Sequence, residues 1–376
     1  MRNPSIVDPP VGARVRVDGK EAVLLCSNDY LGLAGRPELR SAVVSAMERY
    51  GFGSGASRLV SGTSQIHVEL EGRIADFKGT EAAILFNSGY SANTGVIPAV
   101  AGEGDAILSD SLNHASIIDG CRLSRAQVYV YRHRDLNHAE EILKKCNHYR
   151  RRLIVTDGVF SMDGDIAPLR GLAILAEKYD AILMVDDAHG TGVLGDNGRG
   201  TVEHLGLSYD RLIQMGTLGK ALGTFGAYVA GPADLIAFLV SSVRSFIFST
   251  SLPPIVCAAS IAAIEIVKNE PQIRRRLWSL RERFVRGLTG LGIGTAASDT
   301  QIIPIIIGAS DRALKAANEI IALGVFAPAI RPPSVPEGSS RIRATVTANL
   351  SDRDIDIAVE AFGVLKQKGF LNEQWQ

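Results

Sequence analysis

The sequence predicts an α/β protein built on a mostly parallel, doubly wound sheet, with a smaller α+β unit at its C-terminal end. Three observations point there. Between residues 82 and 230, short aliphatic and β-branched runs alternate with helical patterns. The runs are continuous rather than alternating, as expected for strands buried on both faces. After Pro253-Pro254 the alternation stops, and a long helical stretch leads into a second, shorter α+β pattern.

The elements can be justified in order. The first 25 residues read as extended, with Val15 and Val17 on one face and a turn at Asp18-Gly19. Residues 37–50 carry a helical pattern. Thr63 or Ser64 caps a second helix with Ile66, Leu70, Ile74 and Phe77 on one face, stopped by Gly79. Seven strands are predicted, at 82–86, 106–109, 128–131, 153–156, 182–185, 211–215 and 226–230. Helices at 91–100, 139–146 and 169–179 separate them, so functional residues should collect at the carboxyl ends of the parallel strands. One long helical region covers 255–291. Strands at 302–307 and 341–347 flank a helix at 312–323, and Ser351 with Asp354 forms a capping-box pattern that opens a last helix. The chain thus divides into an N-terminal extended segment at 1–36, a large α/β domain at 37–270 and a C-terminal α+β domain at 271–376.

Composition narrows the function. Lys+Arg and Asp+Glu are both 40, and the formal net charge is zero. With no basic run, neither nucleic acid nor an anionic membrane is expected as the main partner. The most apolar long stretch, 221–240, contains Pro232 and Asp234 and makes a poor membrane span. The N-terminal residues lack an apolar signal core, and Cys26, Cys121, Cys146 and Cys257 are scattered. The expectation is a cytoplasmic protein with reduced thiols.

Three local patterns carry chemistry. An apolar strand ends in Asp186-Asp187-Ala188-His189-Gly190. No further histidine or carboxylate stands nearby at ligand spacing, so no metal is expected. Lys220 sits between glycines just after a later strand, in apolar surroundings that favour a nucleophilic amine. Upstream, Asn87-Ser88-Gly89-Tyr90-Ser91 takes a strand into a helix and offers free backbone N–H groups to a phosphate. A lysine amine, a strand-end carboxylate and a phosphate cradle are together the needs of pyridoxal 5'-phosphate (PLP). Gly51-Phe52-Gly53-Ser54-Gly55-Ala56 fits a loose dinucleotide fingerprint but follows a helix, and no Gly-x-Ser-x-Gly elbow appears.

Six ordered strings extend the pattern: Ser27-Asn28-Asp29-Tyr30-Leu31-Gly32, Gly53-Ser54-Gly55-Ala56-Ser57-Arg58, Asn113-His114-Ala115-Ser116, Phe160-Ser161-Met162-Asp163-Gly164-Asp165, Asp186-Asp187-Ala188-His189-Gly190 and Thr217-Leu218-Gly219-Lys220. They resemble the α-oxoamine synthases, PLP-dependent transferases of fold type I, over nearly the whole chain. The resemblance implies that Lys220 forms the Schiff base and Asp186 pairs with the pyridine nitrogen. It implies that His189 and Ser161 contact the ring's phenolic oxygen, that Thr217 bonds the phosphate, and that Gly89 and Tyr90 lie in the phosphate cradle. His114 would stack on the ring and meet the substrate. Asn28, Ser334 and Arg343 would line the substrate site, and Arg2 would meet the acyl group. The C-terminal string from Ala329 to Pro336, followed by Arg341-Ile342-Arg343, is similar to the branch that condenses L-alanine with a pimeloyl thioester of CoA or acyl carrier protein in biotin biosynthesis. The alternative branches are the 2-amino-3-ketobutyrate CoA ligases and the 5-aminolevulinate synthases, which share the core motifs. The resemblance also implies a homodimer, and relatives are expected to carry a helix ahead of the residue where this sequence begins.

Overall fold

The computed structural model describes residues 4–8, 12–296 and 298–371. Its residues group into two units. One holds Arg36–Phe160 and Ile166–Asn269; the other holds Met1–Gly35, Ser161–Asp165 and Glu270–Gln376.

The first unit is the doubly wound sheet. Its seven strands are Ala82–Phe86, Ala106–Asp110, Gln127–Tyr131, Arg152–Asp157, Ile182–Asp186, Leu212–Thr217 and Ala227–Gly231. From one edge to the other they lie in the order first, seventh, sixth, fifth, fourth, second, third. All neighbours run parallel except the seventh strand, which is antiparallel to both of its neighbours. Burial explains the sequence pattern. Ile154, Leu183, Met184 and Val185 are fully shielded, because helices cover both faces of the sheet. One face packs Ile84, Ile107, Met184, Ile213 and Val229 with Val96 and Ile97 of the helix Gly89–Val100. The other packs Leu108, Ile154, Leu183 and Val185 with Leu172 and Ala176 of the helix Leu169–Lys178.

Among the departures from the sequence-based expectation, two concern helices whose reasons are plain. The single helix expected over 255–291 is two helices, Pro254–Asn269 and Pro271–Gly290. Pro271 has no N–H to donate and sits at the start of the second helix, where none is needed. The helix Ala115–Ser124 has no counterpart in the predicted elements. It packs through a tight seam against Gly89–Val100: a side chain at Gly120 would collide with the Asn93 carbonyl and Ile97.

The second unit contains a four-stranded and a three-stranded sheet. Arg14–Val17 and Lys20–Leu24 form a hairpin whose two turn residues, Asp18 and Gly19, both take positive φ, at 48° and 81°. That is the turn whose twist matches the flanking strands. Lys20–Leu24 also pairs in parallel with Val325–Phe326, about three hundred residues later. The second sheet joins Ile302–Gly308, Ser340–Thr345 and Ala329–Ile330. The closing helix Asp352–Gln367 has the expected capping box: Ser351 Oγ accepts from the Asp354 N–H at 3.1 Å, and the Asp354 carboxylate accepts from the Ser351 N–H at 2.9 Å. Asp354 also pairs with Arg14 at 2.8 Å. Ser351→Ala is therefore expected to cost about 1 kcal/mol in urea denaturation, while Ser351→Asp, which keeps a capping oxygen, loses less.

Candidate active site

The carboxyl ends of the parallel strands meet at a cavity of about 190 Å³ in the first unit. Gly89, Tyr90, His114, Asp186, His189, Thr217 and Lys220 all line it, together with Ser116, Asp157, Ala188 and Met215. The structure thus brings seven of the sequence-predicted residues to one place.

Each is positioned by its element. Asp186 is the last residue of a central strand and is only 4% exposed. Its Oδ1 accepts from the Ala188 N–H at 3.0 Å and its Oδ2 from Asn93 Nδ2 at 2.8 Å. Burial raises its pKa, opposed by Lys220, by the Asn93 and Ala188 hydrogen bonds and by His114. Lys220 lies in the loop after the strand Leu212–Thr217. Leu218, Ala221 and Leu222 of that loop are buried, which anchors it beside the cavity. The Lys220 Nζ is 2.9 Å from His189 Nε2. Thr217 Oγ1 donates to the Gly226 carbonyl at 3.0 Å and accepts from the Gly219 N–H at 3.2 Å. Gly89 and Tyr90 open the helix Gly89–Val100, where first-turn N–H groups have no intrahelical acceptor. The Tyr90 ring is half exposed, and its hydroxyl donates to Asp119.

His114 is the N-cap of the helix Ala115–Ser124. Its Nδ1 accepts from the Ser116 N–H at 3.2 Å and lies 2.7 Å from Ser116 Oγ. Because Nδ1 is an acceptor, the neutral ring carries its proton on Nε2. Burial holds the ring pKa below the usual histidine value, against the pull of Asp186 and with the help of Lys220.

Asp157 and Asn93 are given no role by the sequence patterns, and Asn113 and Ser116 stand in one of the ordered strings without a role of their own. Asp157 ends the strand beside that of Asp186 and lies directly opposite it in register. Its Oδ2 accepts from the His114 N–H at 2.7 Å. Asn113 joins the same turn to the strand, donating to the Val155 carbonyl and accepting from the Asp157 N–H, both at 2.9 Å. Burial, and then the Asp186 charge, push the Asp157 pKa well up. The only signal in the sequence is Asp157's place at a strand end, four residues before Ser161.

The remaining predicted residues lie elsewhere. Arg2 is outside the described residues. Asn28, Ser161, Ser334 and Arg343 belong to the second unit. There Arg343 is 8% exposed, and its Nε donates to the Ser161 carbonyl. Among the described residues its remaining nitrogens reach the Asn28 Oδ1 and the Tyr30 hydroxyl, both at 3.5 Å. Among the described residues no carboxylate pairs with it, whereas neighbouring Arg341 pairs with Asp163. Ser334 is exposed, its N–H donating to the Arg331 carbonyl at 3.0 Å.

The cavity's chemistry fits PLP. Two buried carboxylates side by side, Asp157 and Asp186, leave negative charge that a protonated pyridine nitrogen answers. A helix N-terminus answers a phosphate, and an amine next to a histidine answers an aldehyde. The fold and cavity together define a PLP enzyme of the α/β class.

Comparison with known proteins agrees. The aminotransferase class I and II family model matches residues 20–362. A protein of Citrifermentans bemidjiense named 8-amino-7-oxononanoate synthase is 54% identical over 98% of this chain and 94% of its own length. A structure of SPT with PLP superposes with a TM-score of 0.94 at 31% identity, covering 98% of this chain and 94% of that one. The 8-amino-7-oxononanoate synthase of Francisella tularensis superposes with a TM-score of 0.81 at 28% identity, covering 93% of this chain and 99% of that one. The chain belongs to the aminotransferase class I and II family, as a PLP-dependent α-oxoamine synthase most like the 8-amino-7-oxononanoate synthases.

The raised Asp157 pKa makes a prediction for the cofactor-free protein. A carboxyl whose folded pKa is raised contributes stability that is full below its unfolded pKa and is lost as pH rises toward the folded one. Asp157→Asn does not titrate, and its amide oxygen can still accept the His114 N–H. The thermal midpoint of Asp157→Asn should thus gain on the parent as pH rises from the ordinary carboxylate value of 3.8. Parallel pH curves for the two proteins would contradict the assignment.

Proposed function

We propose that the protein catalyses the decarboxylative condensation of L-alanine with a pimeloyl thioester, giving 8-amino-7-oxononanoate for biotin synthesis. The observation that carries the reading is the meeting of Lys220, His189, Asp186 and His114 on one cavity with the amide cradle at Gly89 and Tyr90. The choice of alanine and a pimeloyl group rests on the names of relatives 49–54% identical over more than nine-tenths of the chain.

The residues divide the work. Bound PLP supplies an electron sink for the carbanion formed at the amino acid's Cα. Asp186 holds a proton on the pyridine nitrogen. The Gly89 and Tyr90 amides would hold the phosphate, with the Thr217 hydroxyl turned to it from the Gly226 carbonyl. His189 and Ser161 bond the phenolic oxygen. Lys220 would hold the cofactor through its amine, and that amine, when free, is the base placed to take the α-proton of the amino acid. The His114 Nε2–H donates to the acyl carbonyl oxygen as negative charge develops there. Arg343, buried without a carboxylate partner among the described residues, takes the amino-acid carboxylate. Asn28, Ser334 and Arg2 complete the substrate contacts. The thioester carrier is CoA or acyl carrier protein.

We place the enzyme in the cytoplasm as a homodimer. All four cysteines are free thiols, and among the described residues no helix is long and apolar enough to cross a membrane. Exposed Met47, Phe52, Leu59, Val60 and Val68 supply the apolar surface that self-association uses.

Two experiments test the reading. Alanine with pimeloyl-CoA should release free CoA at least tenfold faster than glycine with acetyl-CoA; the reverse order would assign the glycine acetyltransferase activity instead. Borohydride should fix PLP covalently to the parent but not to Lys220→Ala, which should also lose all turnover. Fixation in the variant would defeat the lysine assignment.

A further inference from the structure

A hydrogen-bonded chain joins the two ends of the cavity. Asn93, in the helix Gly89–Val100, is fully buried, and its Nδ2 donates both to Asp186 Oδ2 at 2.8 Å and to Ser116 Oγ at 2.9 Å. Ser116 Oγ in turn lies 2.7 Å from His114 Nδ1. The direction of each bond follows from chemistry. The Asp186 carboxylate accepts and cannot donate, so the Asn93 amide must turn its NH₂ toward it. The same NH₂ donates to Ser116 Oγ, so the serine proton is free to point at Nδ1. The cost of this arrangement is visible, because Asn93 Oδ1 is buried with no partner among the described residues. Such an orphan survives where the other end of the amide is needed.

We propose that Asn93 is a positioning residue: through Ser116 it ties His114 to Asp186 and keeps the imidazole neutral, with its proton on Nε2. Asn93 itself meets neither reacting atom. It lets the anion that holds the cofactor's nitrogen also set the tautomer of the ring that meets the acyl group. The proposal rests on the roles given to Asp186 and His114 above. Other groups act on the ring as well. Asp186 and Lys220 face it across the cavity, Asp157 holds its backbone N–H, and the Ser116 N–H shares Nδ1. The Ser116 amide alone sits at 3.2 Å, so the hydroxyl is the closer of the two donors.

Donation to Nδ1 stabilises the neutral ring and lowers its pKa. Removing that donor should raise it. The test is histidine-selective ¹⁵N NMR of the cofactor-free protein, with His114→Gln identifying the resonance. In the parent, Nδ1 should be the unprotonated nitrogen. In Asn93→Ala and in Ser116→Ala the His114 midpoint should rise by about half a pH unit or more, a roughly threefold or larger change in proton affinity. If Asn93→Ala fails to fold, Ser116→Ala removes only one oxygen and reads the same bond. Unchanged midpoints in the folded variants would overturn the proposal. With substrates, Asn93→Ala should lower kcat about tenfold in the parent background and add less than twofold to His114→Ala. Full additivity would also overturn it. The NMR arm needs neither PLP nor substrate, so it stands apart from the assignment of the reaction.

Discussion

A carboxylate buried at the end of a central strand has to be answered by something. Asp186 is shielded on all sides by the sheet and its covering helices, with an equally buried carboxyl, Asp157, on the adjoining strand. Two such groups do not both carry charge without help. The surrounding architecture supplies that help. The Ala188 N–H and the Asn93 amide bond the carboxylate, and the Lys220 charge lowers its pKa. A protonated pyridine ring completes the balance. The cavity is in this sense shaped around one charge.

The backbone beside it is held with similar care. Asp187, the next residue, is fully buried and accepts from Lys78 at 2.8 Å and from Thr201 Oγ1 at 2.8 Å. A side chain at Gly190 or Gly200 would strike the Asp187 carboxylate, so both must be glycine. The turn that carries His189 is thereby closed around an internal ion pair.

Much of this organisation is legible in the amino-acid sequence. The seven strands stand out because burial on both faces demands unbroken aliphatic runs such as Leu183-Met184-Val185. Lys220, Asp186 and His189 stand out because polar groups at strand ends and between glycines are conspicuous against those runs. Other features are not legible. Asn93 and Ser116 look like ordinary helix residues, and Asp157 like any strand-end carboxyl. Their meaning comes from the packing of one helix on another and of one strand beside another, elements that are separate in sequence. The pairing of Lys20–Leu24 with Val325–Phe326 is hidden for the same reason. The break at Pro271 is readable in principle, but the helical pattern on both sides of it masks a proline at a first helical turn.

The organising role of the Asp186 charge is tested most directly by the affinity of the cofactor-free protein for PLP, measured by calorimetry for the parent and for Asp186→Asn. If the cavity is organised around that charge, the neutral variant should keep its fold and bind PLP at least tenfold more weakly, with turnover of alanine and pimeloyl thioester lost. Equal affinity and equal turnover in the two proteins would contradict it.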